Sequence, residues 1–329
     1  MIEISIEEKL LELKFTWKIA RNASDFKKNF FIKISDGKNE ALGECAPNVR
    51  YGENVELIKS QFSSLMSAGL CDVHHHESLI QLFAKINTCN SLRFAIESAF
   101  IHFWCKRDKI SVAEYLNISI CPSTATAFTL PIMPTEEMCD FYQKYNLQRF
   151  KHLKLKINAE NAEEALVEIL KVAKQPIMID GNEAFQHPDE VLKYIDFIYA
   201  KNVLFLEQPM PAKMVEEYIY LKPKSKILLM GDESITDTPN MKVIAQQFHG
   251  VNMKLQKAGG YVNGLRIINE AKLAGLYNMI GCMVETSLGI GSAMNLCANI
   301  PFVDLDGFLI LKEEPFQLIT EKEGVLSFK

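Results

Sequence analysis

The sequence predicts an α/β protein in which an eight-stranded parallel barrel follows a smaller α+β region. From about residue 125, short apolar segments alternate with amphipathic helical segments, and the apolar segments begin about every 25 residues. Before that, residues 1–45 alternate in the manner of strands, and residues 54–120 show helical spacing. After about residue 311, no helical pattern follows the last apolar segment.

The first region combines a predicted sheet with packed helices. The segment FFIKISDGKNEALGEC (30–45) predicts a β-hairpin that turns at Asp36 and Gly37. The segment SLRFAIESAFIHFWCKRD (91–108) carries a broad apolar stripe, which is typical of a packed helix. We therefore predict an α+β capping domain over residues 1–120 and a barrel over 121–310. The tail, 311–329, is expected to pack back on the capping domain.

The second region has the pattern of a closed barrel. Short connections between strands and helices indicate a parallel sheet, and eight such strands favour closure. An open doubly wound sheet is the alternative, but no GxGxxG turn follows the first strand. The predicted strands are TAFTLPI (126–132), HLKLKI (152–157), PIMID (176–180), VLFLEQP (203–209), ILLMGDES (227–234), GVNMKLQ (250–256), YNMIGCMVE (277–285) and FVDLDG (302–307).

Composition narrows the cellular setting and the partners. The net charge of −5 argues against a nucleic acid or an anionic membrane as partner, and no apolar run approaches the roughly 18 residues of a membrane span. The eight cysteines form no CxxC pair, which predicts free thiols in a reducing compartment. We expect a cytoplasmic protein.

Alternation along the strands assigns their faces. In HLKLKI, Leu153, Leu155 and Ile157 would face the surrounding helices, so Lys154 and Lys156 would point into the barrel. The same reasoning places outward Ile177, Ile179, Leu204, Leu206, Ile227, Leu229, Met253, Leu255, Val303 and Leu305. It places inward, near the strand ends where barrel active sites lie, Asp180, Glu207, Asp232, Lys254, Asp304 and Asp306.

Three of these inward carboxylates come from consecutive strands. A single carboxylate at a strand end can simply cap the next helix. Asp180, Glu207 and Asp232, pointed at one space, would repel and raise one another's pKa unless a cation held them. Oxygen ligands select a hard divalent ion, so we predict Mg²⁺.

The lysines lie on both sides of this cluster. Lys154 and Lys156 are on the second strand and Lys254 is on the sixth, which is opposite in a ring of eight strands. A lysine becomes a base when burial and a neighbouring cation lower its pKa, and Lys154 with Mg²⁺ could do this to Lys156. The arrangement favours removal of a proton from a carbon α to a carboxylate by one lysine and its return on the opposite face by the other. That chemistry predicts a racemase or epimerase.

These motifs together are similar to those of the enolase superfamily, in the subgroup that contains muconate lactonizing enzyme. They are KLK (154–156), DGN (180–182), EQP (207–209), DES (232–234) and NMKL (252–255). The resemblance covers nearly the whole chain and implies a mixed capping domain on a modified TIM barrel, (β/α)7β, that lacks the last helix. A lysine base beside Mg²⁺ is a known property of this superfamily.

The resemblance implies a role for each matching residue. Asp180, Glu207 and Asp232 would be the Mg²⁺ ligands, and Lys156 and Lys254 would be the two acid/base catalysts. The remaining implied residues support them: Lys154 near the substrate carboxylate, and Asn182 and Glu233 beside the metal ligands.

The segment DLDG (304–307) resembles the DxD of dipeptide epimerases, the relatives of L-Ala-D/L-Glu epimerase. Asp304 and Asp306 would hold the free α-ammonium of a dipeptide, and an anionic pair suits that cation. GCMVETSLGIGSA (281–293) resembles the seventh-strand segment of the family. The implied function is Mg²⁺-dependent 1,1-proton transfer at the α-carbon of the C-terminal residue of a small dipeptide of the Ala-Xaa type, through a metal-stabilised ene-diolate.

The resemblance also implies that two mobile loops of the capping domain contact the substrate side chain and determine specificity. They would be FTWKIARNAS (15–24) and NVRYGEN (48–54). Arg21 lies roughly where some relatives bind a glutamate side chain, and Tyr51 could close over the substrate. The sequence leaves open whether the second residue of the dipeptide is acidic, hydrophobic or cationic. It also leaves open whether the protein forms a homo-oligomer.

Two other functions remain as alternatives. Another reaction of the same subgroup, that of o-succinylbenzoate synthase or a cycloisomerase, needs no ammonium-binding pair. A barrel that binds a ligand without catalysis, or an aldolase-type Schiff-base lysine, would need no metal.

Overall fold

The computed structural model describes residues 2–20 and 22–329. Its amino-terminal part is a three-stranded antiparallel sheet in the order β1-β2-β3, with helices packed on it, as the sequence predicts. The elements are β1 (Glu3–Ile19), β2 (Asn22–Ser35), β3 (Glu40–Cys45), a 3₁₀ turn (Val49–Tyr51), α1 (Val55–Ser67), a 3₁₀ turn (Leu70–Asp72), α2 (His76–Ile86), α3 (Asn90–Asp108) and α4 (Val112–Leu116).

The predicted hairpin between β2 and β3 is confirmed. The carboxylate of Asp36 accepts hydrogen bonds from the backbone N–H of Lys38 and of Asn39, at 2.9 and 2.7 Å. Gly37 has a φ of 86°, which a residue without a Cβ adopts at little cost. The turn chemistry therefore fixes the register of these strands.

Helix α3 packs closely against β3 because of a glycine. A Cβ on Gly43 would lie 2.0 Å from the carbonyl oxygen of Ala95 in α3. Most side chains of α3 are buried, which matches the broad apolar stripe in its sequence. The helix is thus held between the sheet and the rest of the chain.

The prediction of a loop over residues 15–24 is wrong. Strand β1 continues to Ile19 and β2 begins at Asn22, with Trp17 paired opposite Ser24. The alternation of Phe15, Trp17 and Ile19 with polar neighbours extends the strand pattern into this segment. Arg21 lies outside the described residues.

The second part of the chain is the predicted parallel barrel. Eight strands follow one another in the order β5 to β12, with helices between them and none after β12 in the described chain. The strands are β5 (Ala127–Leu130), β6 (His152–Lys156), β7 (Ile177–Asp180), β8 (Val203–Glu207), β9 (Leu228–Gly231), β10 (Gly250–Met253), β11 (Tyr277–Gly281) and β12 (Phe302–Asp304), and β4 (Ser123–Ala125) precedes them. The helices are α5 (Met138–Lys144), α6 (Ala162–Ile169), α7 (Pro188–Ile198), α8 (Val215–Leu221), α9 (Met241–Gln247), α10 (Leu255–Ala258), α11 (Tyr261–Leu273) and α12 (Ser287–Met294), with 3₁₀ turns at Thr135–Glu137, Leu147–Arg149 and Lys222–Lys224.

Side-chain hydrogen bonds join the two end strands of this sheet. The hydroxyl of Thr129 in β5 donates to Oδ1 of Asp304 in β12 at 3.1 Å, and the N–H of Leu305 donates to Oγ1 of Thr126 at 2.8 Å. The sheet therefore closes around its interior, which an open doubly wound sheet would not do.

The barrel has an apolar interior plug that is separate from the layer between strands and helices. The plug consists of Ala127, Met178, Phe205, Met230 and Met279. Most of the residues predicted to face the helices do so, but Leu204 packs against the plug instead. A bulge explains this difference: Ile177 pairs with Val203 and Met178 pairs with Phe205, so Leu204 is the extra residue.

The tail runs along both parts of the chain. Near its start, the N–H of Lys14 donates to the carbonyl of Ile310, and the N–H of Lys312 donates to that of Glu12, each at 2.9 Å. Strands β13 (Ile319–Lys322) and β14 (Val325–Phe328) then form a hairpin that pairs with β4. The domain boundaries at 120 and 310 stay predictions. No helix in the described part of the chain is both long and apolar enough to cross a membrane.

Candidate active site

Three buried carboxylates meet at the carboxyl ends of β7, β8 and β9. Asp180 and Glu207 are the last residues of β7 and β8 and are direct partners in the pairing of these two strands. Asp232 follows Gly231 at the end of β9. One oxygen from each carboxylate lies within 4.8 Å of the others. All three side chains are buried. The structure thus brings together the residues that the sequence predicts as metal ligands.

Lys154 reaches into this cluster from β6. Its Nζ lies 3.0 Å from Oδ2 of Asp180 and 2.9 Å from Oε2 of Glu207. A third carboxylate oxygen, Oδ2 of Asp304, is also 3.0 Å away. Burial acts to lower the pKa of Lys154, but the surrounding carboxylates raise it well above its usual range. Lys154 is therefore an ammonium that neutralises part of the cluster.

Lys156 lies two residues further along β6. Its Nζ donates to Oδ2 of Asp180 at 2.8 Å and to Oδ1 of Asn182 at 3.0 Å. The same Nζ lies 5.9 Å from the centre of the Trp17 ring, so β1 approaches it from the amino-terminal side. Lys156 is accordingly held between the barrel and the amino-terminal sheet.

Lys254 and Lys257 hold the two oxygens of Asp232. Nζ of Lys254 lies 2.7 Å from Oδ2, and Nζ of Lys257 lies 2.5 Å from Oδ1. For Lys254, the effect of Asp232 and its neighbours outweighs burial and raises the pKa; for Lys257, burial dominates and lowers it. Lys254 borders the cavity described below, whereas Lys257 does not.

The expected mutual rise of the carboxylate pKa values occurs at one member. Burial, together with the charges of Asp180 and Asp232, raises the pKa of Glu207 to about 7. Burial also acts on Asp180 and Asp232, but the lysines outweigh it and lower both pKa values. The lysines thus provide compensation that the sequence argument assigned to a metal alone.

The cluster still fits a divalent cation. Oε2 of Glu207 is buried and accepts no hydrogen bond in the described chain, although Lys154 lies beside it. Oε1 of the same carboxylate accepts a hydrogen bond at 2.7 Å from the amide of Asn252, which fixes its orientation. Three carboxylate oxygens on rigid strand ends are a donor set for Mg²⁺.

Asp304 and Asp306 form an anionic pair beside Thr129. The backbone N–H of Thr129 donates to Oδ2 of Asp306 at 2.6 Å, while its hydroxyl bonds to Asp304. Burial, and then the charge of Asp304, raises the pKa of Asp306 to about 7. A cation placed beside Asp306 would favour the ionised form of its carboxyl, so the pair suits a cationic group.

A cavity of about 660 Å³ opens above these groups. It is bordered by Trp17 and Tyr51 on the amino-terminal side and, on the barrel side, by Lys154, Lys156, Asn182, Asp232, Glu233, Lys254, Asp304 and Asp306. Burial, and then the charges of Asp232 and Glu233, raises the pKa of the Tyr51 hydroxyl. The volume of the cavity is that of an ordinary small-molecule site.

Some residues of the site were not predicted from the sequence. Lys257 and Asn252 each hold one oxygen of a carboxylate in the cluster, and Arg50, which borders the cavity, pairs with Glu183. Lys257 has a faint signal, since KLQK places it one helical turn after Lys254. Arg50 and Glu183 are 133 positions apart, and their pairing leaves no signal in the sequence.

The fold and the site together define a class: (β/α)7β barrels with a covering α+β part, whose cavity combines a carboxylate cluster with lysines on opposite strands. A family model described as enolase C-terminal domain-like matches residues 137–315, and the chain belongs to this family.

Comparisons with individual proteins agree with this assignment. The chain is 28% identical over 328 residues to an L-Ala-D/L-amino acid epimerase of Pedosphaera parvula, covering 97% of this chain and 93% of the relative. It is 26% identical over 332 residues to the L-Ala-D/L-Glu epimerase of Escherichia coli, covering 100% and 98%. A dipeptide epimerase of Enterococcus faecalis, complexed with Mg and L-Leu-L-Tyr, superimposes with a TM-score of 0.88 at 22% identity, covering 99% of this chain and 96% of that one.

Proposed function

We propose that this chain is a Mg²⁺-dependent dipeptide epimerase that inverts the α-carbon of the C-terminal residue of a small dipeptide. One observation carries the proposal: Lys156 and Lys254, on strands four apart in a ring of eight, border the same cavity as the pair Asp304 and Asp306. The names of the relatives, epimerases of L-Ala dipeptides, support an Ala-Xaa substrate.

Asp180, Glu207 and Asp232 would hold the metal ion. The raised pKa of Glu207 supports this assignment, since a bound cation would compensate buried negative charge that Lys154 offsets only in part. Bound there, Mg²⁺ would supply positive charge beside the substrate carboxylate and make the neighbouring α-proton more acidic. Asn182 and Glu233 border the cavity next to these ligands and would help to orient them.

Asp304 and Asp306 would fix the opposite end of the dipeptide. Their carboxylates would accept hydrogen bonds from the α-ammonium, and Thr129 holds both of them in place. Lys154 lies between Asp304 and the carboxylate cluster, where its ammonium would attract the C-terminal carboxylate of the substrate. The fixed distance between Asp306 and the proposed metal ligands would select a dipeptide over a longer peptide.

Lys156 and Lys254 would then move the proton. One Nζ, in its neutral form, would take the proton from the α-carbon, and the other, as an ammonium, would return one from the opposite side. Their ion pairs with Asp180 and Asp232 orient both side chains toward the cavity. Trp17 and Tyr51 would exclude water from above.

Exchange with solvent deuterium tests this function. A library of L-Ala-L-Xaa dipeptides is incubated with the protein and Mg²⁺ in D₂O, and mass spectrometry with chiral analysis follows the C-terminal residue. We expect α-deuterium and the D-epimer for at least one dipeptide. The N-acetyl forms of the same dipeptides, which lack the ammonium, should remain unchanged.

Two results would contradict the proposal. The absence of deuterium across the whole library would exclude an epimerase of Ala-Xaa dipeptides. Equal exchange in the N-acetyl forms would exclude the ammonium-binding role of Asp304 and Asp306 and favour another reaction of the subgroup.

We also propose that the protein works in the cytoplasm. All eight cysteines are free, which supports a reducing compartment. Fractionation of cells that produce the protein tests this, and recovery outside the cytoplasmic fraction would contradict it.

A further inference from the structure

An ion pair joins the turn at 49–51 to the barrel. The guanidinium of Arg50 meets the carboxylate of Glu183 through two parallel hydrogen bonds, from Nη2 to Oε1 at 2.8 Å and from Nε to Oε2 at 3.1 Å. The side chain of Glu183 is only 7% exposed. Paired hydrogen bonds of this kind combine charge with a defined geometry.

Glu183 is a rigid anchor on the barrel side. Its backbone N–H donates to the carbonyl of Gln208 at 2.8 Å. Its Oε1 also accepts a hydrogen bond at 2.8 Å from the N–H of Ala212 in the loop after β8. These bonds fix both the backbone and the carboxylate of Glu183 before Arg50 adds its own contact.

The turn itself is a compact unit. The side chain of Asn48 accepts from the N–H of Arg50 at 2.9 Å, and Glu53 accepts from the N–H of Asn48 at 3.1 Å. Gly52, with a φ of 74°, closes the turn through its N–H. The backbone that carries Arg50 therefore also sets the position of the next residue, Tyr51.

Tyr51 is the side chain that this turn presents to the cavity, where it faces Asp232, Glu233 and Lys254. The guanidinium carbon of Arg50 lies 6.0 Å from the centre of the Tyr51 ring. A displacement of Arg50 would therefore displace Tyr51 as well.

We propose that Arg50 and Glu183 are positioning residues: their ion pair holds the turn at 49–51 against the barrel and thereby places Tyr51 over the bound substrate. The inference rests on the proposed function for the identity of that substrate. Neither charged group is needed for the proton transfer itself, so their effect is on substrate binding. Because Arg50 is partly exposed, salt weakens the pair.

Hydrogen exchange tests, without reference to the reaction, whether the ion pair holds the turn at 49–51 against the barrel. The variants are Arg50→Gln, Glu183→Gln and the double variant, and Arg266→Gln is the control. Arg266 forms an ion pair of the same length, 2.8 Å, with Glu270 on the outer surface of α11, away from the cavity. We expect amide exchange over residues 48–54 to be about tenfold faster than in the wild type in each single variant and unchanged in the control. The double variant should exchange no faster than the single variants, because either substitution alone already breaks the pair.

Steady-state kinetics test the link to Tyr51. In both single variants, we expect KM for the dipeptide to rise about tenfold with kcat within about twofold of wild type. Added salt should raise KM more in the wild type than in the variants, because only the wild type has this ion pair to lose. A loss of fold would instead lower kcat and the melting temperature.

Three results would overturn the inference. They are unchanged exchange over 48–54 in both single variants, additive effects in the double variant, and faster exchange with an unchanged KM. If the wild type turns over no dipeptide, the proposed function fails. The exchange measurement would still decide whether the ion pair holds the turn at 49–51 against the barrel.

Discussion

The Nζ of Lys156 lies 2.8 Å from Oδ2 of Asp180, and the two residues are direct partners in the β6–β7 ladder. The proposed base and a proposed metal ligand therefore occupy adjacent backbone positions of a rigid sheet. Their separation depends on strand pairing rather than on a loop. This gives the site the preorganisation that acid/base chemistry requires.

Glu207→Gln should weaken Mg²⁺ binding about tenfold or more, because the amide removes one anionic ligand and keeps the shape. Calorimetry and the rise of the melting temperature with Mg²⁺ measure this effect. Glu285→Gln is the matched control: Glu285 is buried outside the cluster, and burial raises its pKa to about 8, so it is largely neutral at pH 7. Equal affinities in wild type and Glu207→Gln would contradict the metal assignment.

Substrate binding should depend on the ionisation of Asp306. Because the pKa of Asp306 is raised to about 7, its carboxyl becomes protonated as the pH falls through this value and loses its attraction for an ammonium. At saturating Mg²⁺, which keeps Glu207 ionised, the contribution of Asp306 to kcat/KM for a dipeptide should therefore rise with pH up to about 7 and then level off.

Asp306→Asn should remove that dependence and lower kcat/KM about 10- to 100-fold, the effect of losing one charge-assisted hydrogen bond. The full pH profile of both proteins is the measurement. A variant that keeps the wild-type profile and rate would show that Asp306 does not bind the ammonium.

Gly43→Ala should destabilise the fold by about 1–3 kcal/mol, because the new methyl group would meet the backbone of α3. Gly291→Ala is the control, since its Cβ would lie 3.4 Å from the nearest atom, in ordinary contact. Urea unfolding compares the two. Equal stability of Gly43→Ala and wild type would show that α3 is free to move away from β3.

Much of the barrel and of the site could be predicted from strand periodicity. Alternation placed Lys154, Lys156 and Lys254 on the interior side, because in a regular strand every second side chain shares a face. The prediction is wrong at Leu204, because the bulge shifts the alternation by one residue. This bulge appears in the pairing with the neighbouring strand, and VLFLE contains no glycine that would mark it.

Contacts between distant segments could not be predicted in the same way. Arg50 and Glu183 meet because the amino-terminal part covers the barrel, and neither residue stands in a periodic pattern. Lys257 reaches Asp232 from a short helix whose orientation depends on tertiary packing. The loop predicted over 15–24 was an error of another kind, since its own alternation already indicated a strand.

In the proposed mechanism, Lys156 and Lys254 act on opposite faces of one α-carbon. The direct test is deuterium exchange, in D₂O, of each epimer of a substrate dipeptide with Lys156→Ala and with Lys254→Ala. We expect each variant to lose epimerisation, and each to exchange the α-proton of only one epimer, the one that faces its remaining lysine. A Lys156→Ala protein that exchanged both epimers at the wild-type rate would show that Lys156 is not one of the two acid/base groups.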